Sequence, residues 1–472
     1  MEEQLGFLDQ FHKLVSEIGG VVWGPYVLIP LLVLTGIFLM FGLRFVPWRW
    51  LIPGFKVMWA GRKAKEGHEG ELTPWHALMT SMAATVGTGN IVGVATAILI
   101  GGPGAVFWMW VTALFGMATK YCESTLAVKY REVTPDGSYV GGPMYYIKNG
   151  LGPNWKWMAT LFAIFGMVAS FGIGNMTQAN AITGNIIGVL NLDPDGSSKI
   201  IIAVILLILA GIVLVGGVKR IGSVAGTLVP IMALIYIIGG LIILIMHIDR
   251  VPGAFALIFG HAFTGTAAVG GFAGSTLAMA MRFGIARGLF SNEAGLGSSP
   301  MAHATAIVKN PVRQGMLGMI DPFLDTIVVC SITALVIMVA GEWTSEGMTK
   351  AGAATLTAVS FDHAMPGGFG SWLVTIGLVL FAFSTILGWC VYGERCVIYL
   401  FGHKAALPFR IIFTLAVPVG CLAQLTLVWD LADLFNGLMA IPNLIAVLLL
   451  SPVVFKLTKE FFSNPKCLEE ED

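Results

Sequence analysis

The sequence predicts an all-α membrane protein of about 11 transmembrane helices, in which one N-terminal helix precedes a 5+5 inverted-repeat core. Three observations carry that prediction. Hydrophobic residues make up 56% of the chain and charged residues only 11%, whereas a soluble domain carries about 25% charged residues. The apolar residues fall into runs that reach the ~20 residues needed to cross a bilayer. The lysines and arginines sort to alternate connections, as the positive-inside rule requires.

Spans are expected at roughly 21–43, 75–100, 104–129, 156–190, 199–216, 223–246, 267–306, 316–340, 369–400, 407–424 and 427–455. Two of them, 156–190 and 267–306, are too long for a single straight crossing and must tilt, break or protrude. With the N-terminus outside, one side collects twenty-one cations, including Arg44, Arg62, Lys120, Arg131, Arg395 and Lys456, and the other keeps Lys13, Lys199, Arg250 and Lys350. An even number of spans would scramble this sorting, so the expected topology is N-outside and C-cytoplasmic, in the plasma (inner) membrane.

The connections are informative too. Arg44 to Lys65, with Trp48, Trp50 and Trp59, reads as a cytoplasmic interfacial helix anchored by aromatics. Val251 to Phe263 and Thr349 to Ala364 read as short external helices. The acidic residues Glu2, Glu3, Asp9 and Glu17 ahead of the first apolar run argue against a signal peptide. The net charge is zero, so the expected partner is the lipid bilayer and not nucleic acid. Cys122, Cys330, Cys390, Cys396, Cys421 and Cys467 have no CxxC or metal spacing and read as small apolar packing residues.

With the first span set aside, five spans lie in 75–246 and five in 247–455. Residues 1–74 hold the first span and the interfacial helix, and 456–472 form a cytoplasmic tail. An odd number of spans per repeat inverts the second copy. Each copy opens on a glycine-interrupted span: Gly87-Thr88-Gly89-Asn90 within 83–93, and Ser291-Asn292-Glu293-Ala294-Gly295-Leu296-Gly297. Each interior glycine costs a helix about 1 kcal/mol relative to alanine, and freed backbone groups at membrane depth need protein or water to satisfy them. Tight small-residue packing is the alternative explanation for 83–93. Paired interruptions at matching positions favour broken helices at a binding site.

Enzyme signatures are absent: there is no P-loop, no HExxH and no GxSxG, and Gly87-Thr88-Gly89 follows no strand. An enzyme is not expected, and neither is an organic cofactor. A channel would show a symmetric filter or charged pore rings, and neither is visible.

The motifs Val86-Gly87-Thr88-Gly89-Asn90-Ile91-Val92-Gly93, Gly101-Gly102-Pro103-Gly104-Ala105 and Gly141-Gly142-Pro143-Met144-Tyr145-Tyr146 resemble those of the alanine or glycine:cation symporter family. So do the runs 171–180 and 287–295, and Gly388-Trp389 with Tyr392-Gly393-Glu394. The resemblance covers Trp75 to about Pro452 and implies a leucine-transporter-like fold with core helices 1 and 6 broken. It also implies sodium-coupled symport of alanine or glycine, sodium being the coupling ion.

Carried onto this sequence, the resemblance puts Gly87, Thr88, Gly89 and Asn90 around the substrate backbone, facing Ser291 and Asn292. Exposed N–H groups at a helix end hold a carboxylate, and freed carbonyls take an ammonium. For Asn292 the alternative is a helix-capping amide. Gly174 and Gln178, one turn apart on one face, would wall the pocket unless Gln178 is interhelical glue. Trp389 would cap the substrate side chain. The ion would take carbonyls of Ala83, Val86 and Phe381 and hydroxyls of Ser384 and Thr385, unless those hydroxyls simply bond back along their own helix. Glu123, Glu293, Asp321 and Asp325 keep a proton-coupled or exchange-type carrier open as the alternative, and His303 reads as structural.

Overall fold

A computed structural model describes residues 7–24, 26–63, 69–193, 196–267, 274–345, 352–365, 367–423, 426–464 and 468. It is helical nearly throughout. The chain opens with α1 (Phe7–Val22), α2 (Leu28–Gly42), α3 (Val46–Arg49) and α4 (Leu51–Ala60). There follow α5 (Pro74–Thr85), α6 (Val92–Gly101), α7 (Gly104–Lys129), the two-residue hairpin strands β1 (Glu132–Val133) and β2 (Tyr139–Val140), and α8 (Pro143–Tyr146). Next come α9 (Lys156–Phe171), α10 (Thr177–Val189), α11 (Ser198–Leu214), α12 (Gly217–Met246), α13 (Val251–His261), α14 (Leu277–Asn292) and α15 (Pro300–His303). The chain closes with α16 (Pro311–Gly318), α17 (Ile320–Pro322), α18 (Ser331–Ala340), α19 (Ala353–Ala364), α20 (Phe369–Phe401), α21 (Ala406–Leu422) and α22 (Thr426–Ser463).

Among the described residues, six helical stretches are long and apolar enough to cross a bilayer on their own, with shorter apolar helices beside them. Their surroundings divide them. The apolar stretch of α20 is 78% buried and that of α12 only 33%, so α20 is a central strut and α12 lies at the rim. The exposed side chains of α11, Ile201, Val204, Ile205, Ile208, Leu209 and Ile212, recur every three or four residues, the spacing of one helical face. That face is fit for lipid.

Several boundaries differ from the sequence expectation. The run 21–43 divides, because α1 ends at Val22 and α2 starts only at Leu28. The interfacial segment is two short helices entered through Arg44 and Phe45 at φ 52° and 60°, and Lys65 lies outside the described residues. The segment 267–306 is not one rod: 268–273 lie outside the described residues, and helix is interrupted between Asn292 and Pro300. The external helix expected at 349–364 begins at Ala353, residues 349–351 again being outside the described set. The final helix runs past 455 to Ser463. Among the cations assigned to loops, Lys120 is fully buried in α7 and Arg395 is 1% exposed in α20. Opposite charge explains both, Lys120 against Asp321 and Arg395 against Glu71 and Glu394.

Candidate functional site

The first interruption follows from its residues. Thr73 caps α5 by accepting from His76 N, and Pro74 occupies the first turn, where its missing N–H costs nothing. The helix stops at Thr85. Val86 and Gly87 are extended, a single 3₁₀ turn covers Thr88–Asn90, and α6 resumes at Val92. Gly87 must lack a side chain for space, since a methyl there would lie 2.5 Å from Thr385 Oγ1. Asn90 stabilises the break itself. Its Oδ1 accepts from Gly87 N at 2.8 Å, while its Nδ2 donates to Asp325 Oδ1 at 2.6 Å.

The second interruption faces the first. Asn292 ends α14, and Glu293, Gly295 and Gly297 take positive φ of 54°, 90° and 81° before α15. Asn292 is the capping amide of the alternative: Oδ1 accepts from Ala294 N at 3.0 Å and Nδ2 donates to Thr326 Oγ1 at 3.1 Å. Ser291 Oγ lies 3.3 Å from Cys330 Sγ. A methyl on Gly89 would stand 3.2 Å from Ser291 Cα, so the two breaks touch where both backbones leave helical geometry. Behind the second break, Asn443 Nδ2 donates to Glu123 Oε1 at 2.5 Å and to Gly295 O at 2.9 Å, and Ser298 Oγ donates to Glu293 Oε2 at 2.6 Å. Both carboxylates are thereby tied to the break. His303, fully buried, is hydrogen-bonded to Gln314.

α20 passes across the first break. Ser384 Oγ donates to Phe381 O at 2.8 Å, and Thr385 Oγ1 to the same oxygen at 2.9 Å. Both hydroxyls therefore bond back along their helix, which leaves their lone pairs unspent. Across the gap Thr385 Oγ1 donates to the Ala84 carbonyl at 3.4 Å, and Ala83 and Val86 are both fully buried. The Ala84 carbonyl of α5 and the Thr385 hydroxyl of α20 thus meet beside the first break.

The fourth expected span is continuous but contains a π-helical turn at Gly172–Met176, a local widening often found at functional sites. Gly174 serves close packing, for a methyl on it would run into Trp389 Cβ. Gln178 Nε2 donates to Ile173 O at 3.0 Å, while its Oε1 is buried without a partner among the described residues. Trp389 is 1% exposed with its ring 5.5 Å from that of Tyr392. We expect Gly174→Ala to displace the Trp389 ring at a cost of about 1–3 kcal/mol, read as a lowered melting temperature in detergent. An unchanged melting temperature would mean that the ring is free to move.

Sequence reasoning marks Asp321 and Asp325 only for proton coupling, and their pairings escape it because the partners are remote. Asp321 is fully buried and accepts from Ser81 Oγ at 2.7 Å, Thr85 Oγ1 at 2.8 Å and Lys120 Nζ at 3.0 Å. This anchors α5 to α7 and α17 just before the break. Asp325, on a π-helical stretch Phe323–Cys330, sits against Asn90 and accepts from Thr326 Oγ1 at 2.7 Å. Among the described residues no cationic side chain pairs with it.

A cavity of about 600 Å³ runs from Thr88 past Val92, Thr96, Asn180 and Phe290 to Thr355 and Trp429. On the opposite face the two breaks are latched. Leu72 N donates to Thr305 O at 3.0 Å, Ile307 N to Leu72 O at 2.7 Å, and Arg131 reaches the Ala306 carbonyl at 2.6 Å.

The profile of the sodium:alanine symporter family matches residues 8–472. The chain belongs to that family. It is 48% identical to the sodium/alanine symporter AgcS of Methanococcus maripaludis over 96% of this chain and 97% of that one. It is 38% identical to the probable sodium/glutamine symporter GlnT of Bacillus subtilis over 96% and 91%. The crystal structure of MhsT in complex with L-phenylalanine superposes with a TM-score of 0.56 at 13% identity, covering 83% of this chain and 99% of that one, so the two share a fold. As a member of the sodium:alanine symporter family, the chain is a multi-pass membrane transporter for cation-coupled amino-acid symport and not an enzyme.

Proposed function

We propose that this symporter imports a small neutral amino acid, alanine or glycine, with sodium by alternating access. The observation that carries this is the approach of the first break, at Gly89, to Ser291 and Phe290 at the end of α14, beside the 600 Å³ cavity that Thr88 and Phe290 line, with the Thr385 hydroxyl of α20 against the first break. The core helices would form two inverted five-helix repeats within eleven spans, with the N-terminus outside. The cavity face is then external, the latched face is cytoplasmic, and the latch must part in each cycle.

The substrate backbone would lie at Gly87, Thr88 and Gly89, facing Ser291, with Asn90 and Asn292 holding the breaks in shape. Asp325 supplies the negative charge that an ammonium group needs, because a carboxylate buried at membrane depth demands a cationic partner. Sodium would take carbonyls of Ala83, Val86 and Phe381 with the Ser384 and Thr385 hydroxyls, an all-oxygen set without carboxylate that suits a monovalent ion. The Ala84 carbonyl joins that set.

Uptake of labelled alanine into proteoliposomes, with sodium and pH gradients imposed separately, tests the reading. Accumulation driven by sodium alone is expected. Accumulation driven by protons alone would favour a proton-coupled carrier, and exchange without either gradient an exchanger. Asp325→Asn keeps the shape and removes the charge, and should lower alanine uptake at least tenfold. Wild-type uptake by that variant would remove Asp325 from the site.

A further inference from the structure

Away from the helix breaks, another cavity of about 720 Å³ lies between the β1–β2 hairpin, the start of α9 and the end of α20. It is on the latched side of the molecule, where Tyr139 N of β2 donates to Glu71 Oε1 at 2.6 Å. The charged or chargeable residues that line it are Glu132, Lys148, Lys156, His403 and Lys404.

Part of that charge is already matched. Lys148 Nζ donates to Glu132 Oε1 at 2.8 Å, and His403 Nε2 lies 3.1 Å from Asp136 Oδ2 in the hairpin turn. Lys156 and Lys404 are exposed, and among the described residues no carboxylate lies within 4 Å of either ammonium. Two lysines on one cavity repel each other unless an anion sits with them. Tyr145 lines the same cavity at only 4% exposure, with its ring 5.5 Å from that of Tyr399. Among the described residues no hydrogen bond uses its hydroxyl, although a buried phenol ordinarily finds a partner.

The rim of the cavity is apolar. Phe401, in its lining, is 68% exposed. Lys156 is followed along α9 by exposed Trp157, Leu161 and Ile164, and Lys404 is followed along α21 by exposed Leu407, Ile411 and Leu415. Spacings of three and four residues put each set on one helical face. Each lysine therefore stands at the end of an apolar stripe fit for hydrocarbon, the place that cationic and aromatic side chains take at a membrane surface. A small anion would use the lysines alone. A molecule with an anionic head and hydrocarbon tails would use the cavity and both stripes.

We propose that this cavity is a binding site for one anionic phospholipid. The phosphate would lie between Lys156 and Lys404, a headgroup oxygen would accept from the Tyr145 hydroxyl, and the acyl chains would run along the stripes of α9 and α21. Basic pockets between helices at a membrane surface take lipid headgroups in this way. The orientation proposed above puts the lipid in the cytoplasmic leaflet.

Native mass spectrometry of the full chain in detergent, titrated with phosphatidylglycerol or with phosphatidylcholine of the same chains, tests the site. The wild type should retain one phosphatidylglycerol with at least tenfold preference. The double variant Lys156→Gln, Lys404→Gln should lose most of that preference. Tyr145→Phe leaves every lysine in place and should lower it severalfold, so it reports even if the double variant folds poorly. The pair Lys219→Gln, Arg220→Gln removes two exposed cations at the start of α12, outside the cavity, and should keep the preference. Equal retention of both lipids by the wild type, a preference that survives either cavity variant, or an equal loss in the Lys219 and Arg220 pair overturns the site. Displacement of the lipid by an equal concentration of inorganic phosphate would overturn it too, because the lysines alone would then account for binding. Alanine transport plays no part in these measurements, so their failure leaves the transport reading standing.

Discussion

Replacing Asp321 by alanine should destabilise the folded protein by about 3–5 kcal/mol, the usual cost of removing one partner from a buried ion pair. The pair is Lys120 Nζ and Asp321 Oδ2 at 3.0 Å, both side chains at 0% exposure. Deleting the carboxylate strands an ammonium where no water reaches it, and it also deprives Ser81 and Thr85 of their acceptor. The double variant Lys120→Met, Asp321→Leu removes both charges at similar volume and should recover most of the loss. Melting temperatures in detergent decide the matter. A single variant as stable as wild type, or a double variant as unstable as the single, would show that the pair does not act as drawn. Transport adds a second reading. Asp321 holds α5 four residues and again zero residues before its C-terminal end, at Ser81 and Thr85. A double variant that folds but transports poorly would locate the role of Asp321 in aiming the first break.

Thr385→Ala should raise the sodium concentration for half-maximal uptake at least tenfold, which corresponds to about 1.4 kcal/mol of lost ion binding. Thr385→Ser, which keeps the hydroxyl, should stay close to wild type. At saturating sodium the alanine dependence of both variants should shift far less than the sodium dependence of Thr385→Ala. The expectation rests on placement: Thr385 Oγ1 is 3.4 Å from Ala84 O across the gap and 2.9 Å from Phe381 O on its own helix. An unchanged sodium half-saturation in Thr385→Ala would remove α20 from the ion site. A matched shift in sodium and alanine dependence would instead indicate that Thr385 supports the shape of the break through its contact with Gly87.

Much of the architecture was legible because membranes make local rules strict. With 11% charged residues, few positions can face water, so long apolar runs predict helices with little competition from other structures. The interruptions at Gly87–Asn90 and Glu293–Gly297 were legible for the same reason, as glycines are poor helix formers wherever they occur. Trp389 shows the limit. Its position in mid-helix suggested a lid over substrate, yet it is Gly174 that determines where the ring can sit. Asn90 and Asn292 were marked as polar residues at the breaks, but whether an amide binds ligand or caps its own backbone depends on which donors lie nearby in space.

By itself the sequence determined that this chain is helical and membrane-embedded, that its glycine-rich runs at 87–93 and 291–297 favour interruption, and which family its motifs resemble. Those properties depend on composition, periodicity and residues within a turn or two of each other. Only the tertiary structure decided that Asp325 meets Asn90, that Lys120 neutralises Asp321, and that Lys156 and Lys404 border the same cavity. Asn90 and Asp325 stand 235 residues apart in the chain, and Lys120 and Asp321 stand 201 apart. The energy of a charge depends on what lies within a few ångströms of it, and that neighbourhood exists only once the helices have packed.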